Sequence, residues 1–193
     1  RCYETVSGKR VYGRYSAEIK VRSATKRSVG KASVKVSDQV WTGKALNPAV
    51  TVKDGNVTLK KDRDYTVSYS ANKGIGTAKV TVTGKGSYTG KITKTFKINP
   101  QGQSISAKGD KSGKKIAVTL AKHSSNSGCQ VSYADNSGFK NSKSLWLSGN
   151  SKNKGTIKGL KSKKTYYVKA RDYKTIGKTK VYGKWSAVKK VSI

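Results

Sequence analysis

Residues 165–170 read TYYVKA, and here Tyr166, Val168 and Ala170 alternate with Tyr167 and Lys169. An alternation of period two predicts a strand with one face on a core and the other in water. Similar alternation occurs at residues 32–36, 65–69, 78–82, 116–120 and 129–133. Turn signals rich in glycine and asparagine separate these stretches, so we expect an all-β chain of β-sandwiches in tandem.

Composition agrees with this class and points to the partners. The 193 residues include 20 Gly, 11 Tyr, 2 Pro and no Met, which suits strands joined by glycine turns better than long helices. Lys and Arg number 42 against 9 Asp and Glu, a net charge of +33. A charge of this size says little about fold, but it predicts attraction to polyanions.

The chain contains an internal repeat with a constant offset of 170 residues. Residues 1–5 and 11–17 (RCYET, VYGRYSA) correspond to residues 171–175 and 181–187 (RDYKT, VYGKWSA) without a gap. The second copy follows a full set of predicted strands, whereas the first has none before it. We therefore expect residues 1–22 to be the closing hairpin of a truncated domain, and the natural protein to be longer.

Composition shifts suggest where the units begin and end. We expect a linker at residues 23–30, a first sandwich at residues 31–100 and a second at residues 101–193. The charge is uneven, with +6 on residues 1–30, +9 on residues 31–100 and +18 on residues 101–193. The last unit is therefore expected to bind polyanions more tightly than the middle one.

Residues 114–193 resemble a fibronectin type III domain. The resemblance rests on Leu120, the stretch CQVSY at 129–133, TIKGL at 156–160, and Tyr166 six residues after Leu160. It implies that the Tyr166 hydroxyl hydrogen-bonds backbone near Leu160.

Three positions depart from the fibronectin pattern. Leu120 replaces a usual Trp, and Cys129 replaces a usual Tyr. Asp172 occupies an inward position where a small apolar residue is usual, and its counterpart in the first copy is Cys2. We expect a less tightly filled core, with Asp172 either at the rim or buried beside a Lys.

Residues 38–100 resemble a bacterial immunoglobulin-like repeat. The carriers are WTGK at 41–44, DYTVSY at 64–69 and GKGSYTG at 84–90, with Trp41, Asp64 and Tyr65 as structural residues. Such modules occur beside fibronectin-like modules in extracellular proteins of Gram-positive bacteria. The resemblance implies a secreted or cell-surface stalk, an adhesive arm, or a non-catalytic tail of a secreted enzyme.

No motif predicts catalysis, a cofactor or a metal site. His123 lies in a polar loop and is expected to be exposed, because a triad needs a positioned carboxylate and an orienting shell. Asp62 and Asp64 lie among basic residues, which disfavours calcium and favours a turn in which Asp64 binds local N–H groups. Cys2 and Cys129 are expected to be unpaired core residues, with a disulfide as the less favoured alternative.

Aromatic and basic residues mix in the closing hairpin and offer candidate ligand contacts. They are Tyr173, Lys174, Lys180, Tyr182, Lys184 and Trp185, with Trp146 as a further candidate. Such side chains could stack sugars or bases while cations hold phosphates. The alternative is ordinary cross-strand stabilisation, which the same pattern in the first copy favours.

These observations predict non-catalytic binding or spacer modules that attach to anionic cell-wall teichoic acid or host glycans. A host surface protein, or another chain that completes the N-terminal half domain, are further candidate partners. The alternative is the accessory C-terminal tail of a secreted peptidase or cell-wall hydrolase whose catalytic domain lies upstream. We expect neither a membrane span nor specific nucleic-acid binding, because only charge supports the latter.

Overall fold

The computed structural model describes residues 1–15, 17 and 25–193. Within these residues the regular structure is strand throughout, apart from a 3-10 turn at Val29–Lys31. The all-β prediction is therefore confirmed. Residues 18–22 of the predicted hairpin and 23–24 of the predicted linker, with residue 16, lie outside the described residues, and the predicted domain boundaries stay predictions.

The N-terminal hairpin joins β1 (Tyr3–Val6) to β2 (Lys9–Tyr12), with Tyr3 opposite Tyr12. Ser7 and Gly8 form its turn with φ of 49° and 78°. Two positive φ angles in succession are typical of the tight turns whose twist matches a two-stranded hairpin. Every residue of both strands is exposed.

Two sheets face each other between residues 27 and 99. The bounds are β3 (Arg27–Ser28), β4 (Ser33–Val36), β5 (Gln39–Val40), β6 (Val50–Asp54), β7 (Val57–Thr58), β8 (Tyr65–Ser70), β9 (Gly76–Gly84), β10 (Tyr88–Thr89) and β11 (Lys91–Asn99). One sheet has the order β4-β6-β7 and the other the order β5-β11-β9-β8. β3 pairs in parallel with β10, and β5 pairs in parallel with β11.

The core of this unit follows the period-two alternation. Val52 of β6, Ala78, Val80 and Val82 of β9, and Ile98 of β11 are fully buried. Trp41 packs against the same core, and its indole N–H donates to the Lys73 carbonyl at 3.1 Å. The Tyr65 hydroxyl donates to the Val50 carbonyl at 3.2 Å, which links the two sheets.

A second pair of sheets lies between residues 105 and 193. The bounds are β12 (Ile105–Asp110), β13 (Lys115–Leu120), β14 (Gly128–Ala134), β15 (Lys143–Ser148), β16 (Lys154–Ile157), β17 (Thr165–Ile176), β18 (Thr179–Tyr182) and β19 (Lys189–Ser192). One sheet has the order β12-β13-β16. In the other, β14 lies between β15 and β17, and β17 pairs with both β18 and β19.

Alternate residues of these strands form the core between the two sheets. Ile116, Val118, Val131, Val168 and Ala170 are at most 1% exposed. The Tyr166 hydroxyl accepts a hydrogen bond from the Lys161 N–H at 2.9 Å, directly after buried Leu160. This contact ties the crossover to β17.

Candidate functional site

Cations and aromatic rings interleave on the outer face of β17. The Arg171 guanidinium carbon lies 3.6 Å from the Tyr182 ring centroid and 4.3 Å from that of Trp185. Lys169 Nζ lies 4.9 Å from the Trp185 centroid and 3.9 Å from that of Phe139. Each of these rings already has a cation of the same chain over its face. A sugar would need the same ring faces, so the contacts within the sheet compete with sugar stacking.

A second group of predicted contact residues lies at the β15 side of this sheet. Trp146 and Tyr173 meet edge to face with centroids 5.5 Å apart, and Lys180 Nζ lies 5.5 and 5.6 Å from their rings. Tyr173 is buried, but Trp146 is 42% exposed. Gly128 makes room for Tyr173, because a Cβ there would lie 2.8 Å from the Tyr173 hydroxyl. Trp146 is thus the accessible ring of the pair.

Lys174 and Lys184 complete the predicted contact set. Within the described residues, neither lies over an aromatic ring or within reach of a carboxylate. Sequence reasoning missed Lys169, Arg171 and Phe139. The alternation of Val168 and Ala170 was the available signal for the first two, because it places residues 169 and 171 on the outer face.

The N-terminal hairpin reproduces the arrangement of its counterpart 170 residues later. Arg1 lies 4.1 Å from the Tyr12 centroid and 4.8 Å from that of Tyr15, and Arg10 lies 4.7 Å from that of Tyr3. Arg171, Tyr182 and Trp185 repeat the first triplet. The sequence repeat is therefore also a repeat of side-chain contacts.

A lysine-lined cavity of about 660 Å³ lies at the β14–β15 connection and the crossover before β17. Its lysines are Lys140, Lys143, Lys158 and Lys161, and Asp135 is its one acidic lining residue. Tyr133 and Tyr166 form part of its wall. Four lysines against one aspartate give the lining a net charge of +3, which favours an anion.

The backbone around the cavity is held in place by its own side chains. Asn136 accepts from the Lys140 N–H at 2.9 Å and donates to the Lys140 carbonyl at 2.9 Å. All four lysine side chains are exposed, and among the residues the structure describes none has a carboxylate within 4.0 Å. The ammonium groups are therefore available to a ligand.

A buried polar cluster surrounds Asp172, which is 0% exposed. Its Oδ2 lies 2.5 Å from His123 Nδ1, and its Oδ1 accepts from Cys129 Sγ at 3.1 Å and from Gln103 Nε2 at 2.7 Å. The expected Lys partner is thus a His. The prediction of an exposed His123 is wrong, because its side chain is only 18% exposed and pairs with this carboxylate.

The two cysteines have different surroundings. Both are free; Cys129 is buried and Cys2 is exposed, so the expectation of a buried Cys2 is wrong. Burial, followed by the hydrogen bond to Asp172 and its negative charge, raises the pKa of the Cys129 thiol to about 12. The thiol is therefore protonated at neutral pH and donates to Asp172.

Asp64 lies in the turn before β8. It accepts from the Lys60 N–H at 2.8 Å and from Arg63 Nε and Nη2 at 2.8 Å each. The Arg63 hydrogen bond, followed by that of Lys60, lowers the pKa of Asp64 to about 2. Asp62, with φ of 66°, lies in the same turn. The carboxylate of Asp64 thus binds the backbone N–H of Lys60 and the side chain of Arg63 in this turn.

In the part of the chain that the structure describes, no three His, Cys, Asp or Glu residues lie together as metal ligands would. Nor do the described residues include a helix long and apolar enough to cross a membrane.

Comparison with known proteins shows the fold. No model of a known protein family matches the chain, and no curated protein matches its sequence. Among solved structures, the FN1-FN3 domains of chicken CNTN1 are 14% identical, with 86% of this chain and 68% of that chain covered and a TM-score of 0.41. A cytokine receptor complex is 14% identical, with 83% and 96% covered and a TM-score of 0.50.

The chain has an all-β, immunoglobulin-like sandwich fold. At 14% identity the likeness extends to the fold alone. The fold hosts many tasks, so function is argued from the surface of this chain.

Proposed function

We propose that the chain is a set of non-catalytic extracellular modules of a larger bacterial surface or secreted protein, and that it attaches to anionic polymers. The polymer is cell-wall teichoic acid or an acidic host glycan, both of which present repeated negative charges. The bacterial setting follows from the resemblance of residues 38–100 to bacterial immunoglobulin-like repeats. The extracellular setting agrees with the usual location of this fold.

The lysine-lined cavity is the observation that supports this proposal most directly. A net charge of +33 attracts any polyanion. The cavity adds a concave place lined by Lys140, Lys143, Lys158 and Lys161, none of which has a described carboxylate within 4.0 Å. Its tyrosine wall can contact the apolar face of a sugar while the ammonium groups hold phosphate, sulfate or carboxylate.

The test compares two quadruple variants of the full chain with equal charge. In one, the four cavity lysines become glutamine. In the matched control, the change is made at Lys79, Lys85, Lys91 and Lys94, which are exposed between residues 76 and 99. Binding to purified teichoic acid and to heparin is measured by calorimetry near physiological salt, with uncharged dextran as the blank.

We expect the cavity variant to lose about tenfold or more in affinity and the control variant less than about threefold, since only the former removes converging charges. Weaker binding of only one polymer would identify the source of the anion. Equal losses in both variants would mean that net charge alone drives binding, and would contradict the proposed site. Retained affinity in both would contradict the charge mechanism itself.

A further inference from the structure

Three buried side chains from separate segments meet within the sandwich formed by residues 105–193. Gln103 precedes β12, Cys129 lies in β14 and Asp172 lies in β17. They are 7%, 2% and 0% exposed. A thiol, a carboxamide and a carboxylate thus share a site from which bulk water is excluded. The proposed polymer binding uses none of them.

The Gln103 carbonyl is polarised by two backbone donors. Its Oε1 accepts from the Ser104 N–H at 2.8 Å and from the Ala121 N–H at 2.9 Å. Two N–H groups on one carbonyl oxygen stabilise the negative charge that develops there when a nucleophile adds to the carbon. These contacts also fix which end of the amide is oxygen. They therefore fix the position of Nε2.

One carboxylate oxygen contacts both a nucleophile and a leaving group. Asp172 Oδ1 accepts from Cys129 Sγ at 3.1 Å and from Gln103 Nε2 at 2.7 Å. Sγ and Nε2 are themselves 3.6 Å apart, and Nε2 also donates to the Ala121 carbonyl at 3.2 Å. This oxygen is placed to take the thiol proton and to deliver it to the amide nitrogen.

Two further side chains support the arrangement. His123 Nδ1 contacts the other oxygen of Asp172 at 2.5 Å, and acts as a positioning residue that orients the carboxylate. Asn126 is buried, with Nδ2 3.8 Å from Cys129 Sγ and with an Oδ1 that has no partner among the described residues. Cys129 as nucleophile contacts Asp172 as base, and Asp172 contacts His123 as the group that orients it. The same chain of contacts is found in activated acyl-transfer sites.

We propose that Cys129 and Gln103 join through an internal thioester. The Cys129 sulfur adds to Cδ of Gln103, the carbon–sulfur bond forms and the carbon–nitrogen bond breaks. The thiol proton passes through Asp172 to the departing nitrogen, which leaves as ammonia. The step changes no oxidation state and needs no external reagent. Ammonia is diluted and protonated in water, which drives the reaction towards the thioester.

The surroundings of the thiol shape how this step proceeds. Because the pKa of Cys129 is raised, the thiol loses its proton only as the carbon–sulfur bond forms, and the adjacent carboxylate supplies the base. A dry site slows hydrolysis of the product. The thioester connects the segment before β12 to β14, and so ties together the two sheets of this sandwich.

Mass spectrometry of the full chain without substitutions tests whether the thioester forms. We expect an intact mass lower by one ammonia molecule than the sequence requires, and a proteolytic fragment that links residue 103 to residue 129. Iodoacetamide in denaturant should label Cys2 alone. Methylamine should then open the bond, leave a methylated amide at Gln103 and free a second thiol.

Variants of single residues supply the controls. Cys2→Ser should keep the mass deficit, whereas Cys129→Ala and Gln103→Glu should abolish it while near-UV circular dichroism reports a folded chain. His123→Gln, refolded from denaturant, should lose ammonia more slowly than the unmodified chain, with the same near-UV spectrum. A folded unmodified chain with the full sequence mass and two alkylated cysteines would overturn the proposal.

Discussion

Ionisation of the Asp64 carboxylate makes the stability of the sandwich formed by residues 27–99 depend on pH. Arg63 and the Lys60 N–H hold the ionised carboxylate, and the pKa of Asp64 is lowered to about 2. A carboxylate whose pKa is depressed in the folded state contributes stability at and above its unfolded pKa of about 4. That contribution disappears as the pH falls through about 2.

Asp64→Asn should therefore remove part of the acid sensitivity of residues 27–99. We expect the variant to be less stable than the unmodified chain at neutral pH, and the difference to shrink between about pH 4 and about pH 2. Urea unfolding followed by the indole N–H resonance of Trp41 measures this, because Trp146 and Trp185 lie in the other unit. Asp110→Asn is the matched control, since the pKa of Asp110 is also lowered to about 2 but in the other unit. A constant difference across this pH range would contradict the account of Asp64.

At Cys129 and Asp172 the sequence predicted the direction of each side chain but not its partners. Period two places both residues inward, and the structure has both buried. His123 and Gln103 come from loops whose paths no alternation describes, so their convergence on Asp172 was not predictable. The outcome is a polar cluster where a loosely filled core was expected.

At the scale of the strand, β17 carries the contacts that organise its sheet. Arg171 stacks between Tyr182 and Trp185, and its Nε donates to Gln130 Oε1 at 2.9 Å. Its guanidinium thus joins β17 to β14, to β18 and to the segment after β18. Arg1 makes the same ring contacts in the N-terminal hairpin, where every strand residue is exposed.

Arg171→Ala should destabilise the second sandwich by about 1–3 kcal/mol, because it removes two ring contacts and a charged hydrogen bond. Arg171→Lys keeps the charge but not the planar fork, so it should lose about half as much. Arg1→Ala is the matched control and should change the unfolding free energy by less than about 0.5 kcal/mol. Chemical unfolding followed by tryptophan fluorescence tests this. Equal effects of Arg171→Ala and Arg1→Ala would contradict a specific role for the Arg171 stack.

Elements with regular alternation were predictable, and those without it were not. Residues 65–69, 78–82, 116–120, 129–133 and 166–170 each fall within an observed strand. The contact residues were recognised as an aromatic and basic mixture, but which cation meets which ring depends on register across β14, β17 and β18. The lysine-lined cavity had no sequence signal, because its lysines come from two segments, the β14–β15 connection and the crossover before β17, that only the fold brings together.

At the scale of the whole molecule, the positive charge acts in two ways, through the net charge of the whole chain and through the lysines that line the cavity. All three parts of the chain are basic, so attraction to polyanions at long range does not depend on one patch. The second sandwich combines the largest charge with the cavity formed by Lys140, Lys143, Lys158 and Lys161. The proposed site and the largest positive charge therefore coincide in residues 101–193.

Titration of the isotope-labelled full chain with a short heparin fragment, read as backbone amide shifts, tests the central claim most directly. The cavity account predicts that the largest shifts at low ligand ratio cluster at residues 134–143 and 158–161, and that they fade as salt rises. Shifts spread evenly over all basic strands, or concentrated in residues 1–15 or 76–99, would contradict it.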